Sequence, residues 1–247
     1  AEADYNEDFI KEILPYAEKG LNILLAQEGE NGLKLLTKIP YWNFHEWSDG
    51  LDGQPIYRDY EMEEEYDGVL TALVAIATEK IAHLEEKTGN LYKANKLNEK
   101  AQKLKQSLEN YYDEAKGVYV SRIKNGKRYG YHAYTQALCL LTNSVPQGRQ
   151  KKLCKVLKAP HDYDVIPTTF AALQLKYEAL IKYGNEIDYC VEEVVRIFKK
   201  MLLNGATSYW ETEYGEADFG DGGSLCHGWS AVCCWVLDKC LENKLVK

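Results

Sequence analysis

Glu186-Ile-Asp-Tyr-Cys-Val-Glu-Glu-Val-Val-Arg-Ile-Phe-Lys-Lys-Met-Leu-Leu203 reads as a helix. It runs into Asn204-Gly-Ala-Thr-Ser-Tyr-Trp-Glu-Thr-Glu-Tyr-Gly-Glu-Ala-Asp-Phe-Gly-Asp-Gly-Gly-Ser224, and a second helix, Leu225–Leu241, leaves the far side. A connection this long inside a compact helical domain is either functional or disordered. Its rigid aromatic residues argue against disorder. The same alternation recurs upstream. Helical patterns cover Asn6–Ala26, Asp67–Glu86, Leu91–Tyr112, Tyr131–Leu141 and Arg149–Leu157, and one more is opened by Pro167 as a first-turn proline. A second long aperiodic stretch, Lys38–Tyr60, is also rich in Trp, Tyr, Gly and acids. About eight helices with alternating short and long connections predict an all-α fold of stacked αα-hairpins, a toroid or solenoid. No fixed-period repeat appears. A toroid gathers its loops at one end, so function is expected in the two long ones.

Apolar stripes orient these helices. Phe9, Ile13, Leu14, Ala17, Leu21, Leu24 and Leu25 mark the first, with Pro15 inside it as an expected bend or break. Leu70, Leu73, Val74, Ala77, Ile81 and Leu84 mark the second; Leu97, Ala101, Leu104 and Leu108 the third; Phe170, Leu173, Tyr177 and Leu180 the sixth. A single segment looks extended: Gly117–Arg128 alternates apolar residues and contains Asn125-Gly126, a hairpin turn signal. One small β-hairpin inserted among helices is the expectation.

The bulk numbers exclude several classes. The 247 residues are enough for one large domain with a sizeable core. A net charge of −8 opposes binding to phosphate backbones, so no nucleic-acid partner is expected. No stretch approaches a membrane span. The seven cysteines are odd in number and show no paired metal-ligand spacing, which points to a reducing, cytoplasmic setting. No nucleotide or nucleophile-elbow fingerprint is present, and no cofactor is expected.

The densest chemistry lies in the loop after Leu203. Glu211 follows Trp210, and a carboxylate beside an indole is partly desolvated and more basic. Glycoside hydrolysis uses such groups in pairs, one protonating the leaving oxygen and one activating water or attacking the sugar. His227 and Trp229 could hydrogen-bond and stack on a sugar ring. Equally open on chemistry alone is a solvated loop acid among packing aromatics. Cys226, His227 and Asp221 could be read as zinc ligands, but adjacent residues rarely reach one ion, so no metal is assigned.

Gly205-Ala-Thr-Ser-Tyr-Trp-Glu211, followed by Ser224-Leu-Cys-His-Gly-Trp-Ser-Ala231, resembles the signature of the bacterial α-L-rhamnosidases of glycoside hydrolase family 78. Tyr131-His-Ala-Tyr-Thr-Gln-Ala-Leu138 looks like a helix of that family. Trp42-Asn-Phe-His-Glu-Trp-Ser-Asp49 resembles its aspartate–tryptophan segment, with Glu46 where Asp is usual. The likeness runs over nearly the whole chain and is weak in the middle. It implies a six-hairpin (α/α)6 barrel, an inverting reaction on terminal α-L-rhamnosyl or similar glycosides, and Glu211 as general base. It also implies His227 as a sugar contact, with Trp210, Trp229, Trp47 and His132 shaping or lining the pocket.

The resemblance has one departure. The family's general acid sits in an Asp-Cys-Pro-x-Arg-Asp-Glu segment with no counterpart here. Residues 1–247 are therefore expected to form a single, partial toroid domain lacking its N-terminal helices and exposing an apolar edge. Such a chain would be inactive or weak alone, and would be completed by oligomerisation or by a missing N-terminal segment. Asp49 and Asp52 lie in the first long loop, and Asp49 is the weak candidate to substitute for the acid. Glu61, Glu63, Glu64 and Glu65 read as helix-start acids. The alternative reading is a non-catalytic sugar-binding or assembly module.

Overall fold

The computed structural model describes residues 6–35, 43–51 and 65–245. Among them are eight α-helices: α1 Glu7–Leu25, α2 Gly68–Lys87, α3 Leu91–Ser107, α4 Ala133–Leu141, α5 Gln147–Lys158, α6 Leu173–Gly184, α7 Ile187–Leu203 and α8 Val232–Leu245. They fall into two rows. The even helices pack on one another in chain order, α2 on α4, α4 on α6 and α6 on α8, while α1 and α3 lie against α2, α5 against α4 and α6, and α7 against α6 and α8. This is the two-layered arrangement of stacked αα-hairpins. Short connections, residues 88–90, 142–146 and 185–186, join α2 to α3, α4 to α5 and α6 to α7, and the connections between these pairs are long.

Burial follows from the rows. α2, in the inner row, buries Val69, Thr71, Ala72, Val74, Ala75, Thr78, Ile81 and Ala82, far more than one stripe. Of the six residues expected to face inward, Val74 and Ile81 are buried and Ala77 is exposed. The outer helices keep one buried face, as α3 does with Ala94, Ala101 and Leu104. Pro15 neither breaks nor splits α1. It sits on the exposed side of an outer helix, where water can satisfy the carbonyl left without a donor. The residues flanking Pro15 differ from expectation too: Phe9 and Ala17 face outward, and Ile10 takes the core place. Pro167 opens no helix. It precedes a 3-10 turn, Phe170–Ala172, that leads into α6.

Short strands decorate the long connections: β1 Glu28–Gly29, β2 Gly32–Leu33, β3 Glu65–Asp67, β4 Tyr112–Asp113, β5 Val118–Tyr119, β6 Arg122–Lys124 and β7 Lys127–Tyr129. The expected hairpin is β6–β7. Its Asn125 and Gly126 both have positive φ, 49° and 72°, as a type I′ turn requires. β3 adds a third strand by pairing Asp67 with Arg122, and β4–β5 and β1–β2 form separate pairs. These partners are distant in sequence or too short to show alternation. All seven cysteines are free thiols. No helix is long and apolar enough to cross a membrane among the described residues.

Candidate active site

The connection from α7 to α8 is a folded strap. Residues 208–211 run antiparallel to 224–227: Glu211 N–H donates to the Ser224 carbonyl at 2.8 Å, and His227 N–H to the Tyr209 carbonyl at 2.7 Å. The Ser208 hydroxyl donates to the Leu225 carbonyl, and the Ser230 hydroxyl to the Trp210 carbonyl at 2.5 Å. Glycine makes the turn between the two runs possible. A Cβ on Gly223 would stand 1.9 Å from the Gly215 carbonyl oxygen. One on Gly215, where φ is +61°, would stand 2.5 Å from the Trp210 ring. The Asp218 carbonyl accepts from both Gly222 and Gly223 N–H at 3.0 Å.

This strap sets Glu211 beside His227. Ser224 N–H donates to Glu211 Oε2 at 3.1 Å, and His227 Nδ1 lies 3.5 Å from the same oxygen. Both side chains are about three-quarters covered. His227 occupies the N-cap of a 3-10 turn, Gly228–Ala231, and its ring stacks on Trp229 at 3.8 Å between centroids and 23° between planes. A carboxylate fixed through one oxygen, an imidazole next to it and an indole behind the imidazole form a unit able to hold and deprotonate a hydroxyl or a water.

The other expected residues divide. Trp210 is buried in the main core under Gly215, a foundation for the strap. His132 is buried with both ring nitrogens engaged, Nδ1 with Ser121 Oγ at 2.7 Å and Nε2 with the Asp49 carbonyl at 2.9 Å. Burial keeps its pKa below the ordinary imidazole range. In this arrangement His132 joins loops through both ring nitrogens. Trp47 is 48% exposed, edge-on to Phe44 at 4.6 Å. Its loop, residues 43–51, is closed by His45 and Glu46 N–H on the Leu51 carbonyl. Trp42, Asp52, Glu61, Glu63 and Glu64 lie outside the described residues. Glu65 pairs in β3 and accepts from the Tyr129 hydroxyl at 2.5 Å, so it is not a helix-start acid.

Two polar clusters escaped the sequence reading. Asp67, wholly buried, meets His45 Nε2 at 2.5 Å and Arg122 Nη1, and caps α2 by accepting from Leu70 N–H at 2.9 Å. Burial would raise its pKa, but the imidazole and guanidinium overcome that and hold it at about 2. Glu46 is buried as well and ties its loop to Thr169. Neither cluster has a local signal, since the partners lie tens of residues apart. Among the described residues no three potential ligands gather into a metal site.

The sequence model of the bacterial α-L-rhamnosidase six-hairpin glycosidase domain matches residues 5–240. The chain belongs to this family. A comparison with curated proteins finds no match. Among solved structures, the family 78 rhamnosidase of Bacillus sp. GL1 superposes with a TM-score of 0.79 at 22% identity, over 94% of this chain and 24% of that one. A rhamnosidase from Klebsiella oxytoca with rhamnose bound gives 0.72 at 20% identity, over 92% of this chain and 42% of that one. A family 63 mannosylglycerate hydrolase from Thermus thermophilus gives 0.52 at 15% identity, over 71% of this chain and 46% of that one. This six-hairpin glycosidase chain thus spans less than half the length of each. At these identities the likeness is one of fold.

Proposed function

We propose that this six-hairpin domain takes part in hydrolysing terminal α-L-rhamnosyl linkages with inversion, Glu211 acting as general base. The observation that carries the reading is the approach of His227 Nδ1 to Glu211 Oε2, with Trp229 stacked behind the imidazole. Ser224 N–H occupies Oε2, which leaves Oε1 to take the proton from a water attacking the anomeric carbon. His227 would orient the sugar, Trp229 and Trp47 would offer aromatic faces, and Trp210 would support the strap from below. Inversion needs a second carboxyl about 6.5–9.5 Å from the first. The family's acid motif has no counterpart in this sequence, so the isolated chain is expected to bind L-rhamnose with little or no turnover. Calorimetric titration with L-rhamnose tests the site: binding weakened in both Glu211→Gln and His227→Ala supports it, and unchanged binding in both overturns it. A clear rate on an aryl α-L-rhamnoside would show that the acid is supplied from within the chain.

A second reading, a sugar-binding or assembly module completed by another polypeptide, draws on the exposed apolar side chains of α7 and α8. Val195, Leu202 and Leu237 are exposed along an apolar groove of about 580 Å³, and Leu203 and Leu241 are exposed on the same two helices. Apolar surface of this kind usually marks a contact. Binding of rhamnose unaltered by Glu211→Gln, together with concentration-dependent association, would favour this module.

A further inference from the structure

We propose that Glu46 is a positioning residue which joins the Trp47 loop to the His227 side of the sugar site, making Trp47 part of its wall. The proposal rests on the reading of Glu211 and His227 as that site. Glu46 is 1% exposed. A carboxylate so buried is tolerated only where donors satisfy both oxygens. Here the donors come from two different loops. Oε2 accepts from Ser48 N–H at 2.6 Å, within its own loop. Oε1 accepts from Thr169 N–H at 2.7 Å and from the Thr169 hydroxyl, 123 residues further along the chain.

Thr169 is the N-cap of the Phe170–Ala172 turn. That turn packs against the Gly228–Ala231 turn, which carries Trp229 and starts at His227. One carboxylate therefore links the exposed indole of Trp47, its chain neighbour, to the turn that holds the imidazole and Trp229. Charge-assisted bonds of this sort are short and directional, so they fix position as well as adding stability. The loop keeps other anchors without Glu46. His45 is bound to Asp67, and the Asp49 carbonyl accepts from His132. Changing Glu46 should then shift the Trp47 end of the loop and leave the fold in place.

The test uses Trp47 itself as reporter. Acrylamide quenching of tryptophan emission is compared for wild type, Glu46→Asp, Thr169→Val and Thr169→Ser, each with and without Trp47→Phe, so that the Trp47 contribution is obtained by difference. Glu46→Asp shortens the reach by one methylene, and Thr169→Val removes the hydroxyl. Both should make Trp47 more accessible and weaken L-rhamnose binding about tenfold, the equivalent of one lost aromatic contact. Thr169→Ser should behave as wild type. In the Trp47→Phe background the same changes should add nothing further to the binding loss. Unaltered Trp47 quenching in both Glu46→Asp and Thr169→Val overturns the proposal. So does full rhamnose binding in both while Glu211→Gln has lost it, which leaves the sugar site standing. No rhamnose binding by the wild-type chain would overturn the sugar reading, and the quenching arm would still decide whether Glu46 holds Trp47.

Discussion

His227 Nδ1 stands 3.5 Å from Glu211 Oε2, is buried, and has no hydrogen-bond partner in the described structure. A buried ring nitrogen left unpaired costs about 1–3 kcal/mol. Its neighbouring acceptor is Glu211 Oε2, and a small adjustment of either side chain would close that gap into a hydrogen bond.

Replacement of His227 by Ala should therefore weaken rhamnose binding about tenfold or more, with little loss of thermal stability. Trp229→Ala should reproduce part of that loss by freeing the imidazole from its stack. Calorimetry and a melting curve on both variants check this. A large fall in melting temperature without a binding change would contradict it.

The strap itself should fail when its glycines are filled. Gly223→Ala would drive a methyl into the Gly215 carbonyl, and Gly215→Ala would meet the Trp210 ring while holding a positive φ. Each should destabilise by about 1–3 kcal/mol. The near-ultraviolet circular dichroism of the tryptophans should change with it. Gly220→Ala, where a Cβ meets nothing but φ is +65°, should cost less.

Acid should loosen the junction of the first loop with α2 through Asp67. Its folded pKa of about 2 lies below the unfolded value of about 3.9, so the folded state holds the ionised form more tightly. The stabilisation, about 2 kcal/mol, is whole above about pH 4 and drains away as the pH falls toward 2. Denaturant unfolding at stepped pH should show this slope. In Asp67→Asn it should be reduced, and stability at pH 7 should drop by about 3–5 kcal/mol because Arg122 is left buried without its carboxylate.

The apolar surface of α7 and α8 should make the chain self-associate or bind a hydrophobic dye. Leu202 and Leu203 are 68% and 77% exposed. Leu202→Glu combined with Leu237→Glu should reduce both effects without lowering the melting temperature, since neither side chain is in the core. Sedimentation velocity over a concentration series reads the outcome directly.

Local patterns carried much of this protein. The Asn125-Gly126 pair set the β6–β7 turn because two successive positive φ values suit those residue types. Asn6 caps α1 by accepting from Phe9 N–H at 3.0 Å, so the first helix begins where its pattern does. The pairing of the Trp210-Glu211 segment with Cys226-His227 was readable as two neighbouring motifs. Its antiparallel bonding was not, because the strap is held by backbone groups and by glycines whose roles depend on what they touch.

What the sequence determined by itself was the series of helices, the long connections and the residue types gathered in the last of them, all of which follow from periodicity and turn chemistry within a few residues. Only the tertiary structure decided which face of α2 is inside, since inner-row packing comes from three neighbours at once. It also decided that Glu46 meets Thr169, that Asp67 meets Arg122, and that His132 spends both nitrogens on loops. Those bonds join positions far apart in the chain, and a buried charge chooses its partner by the space the folded core leaves it, for which no local spacing provides a sign.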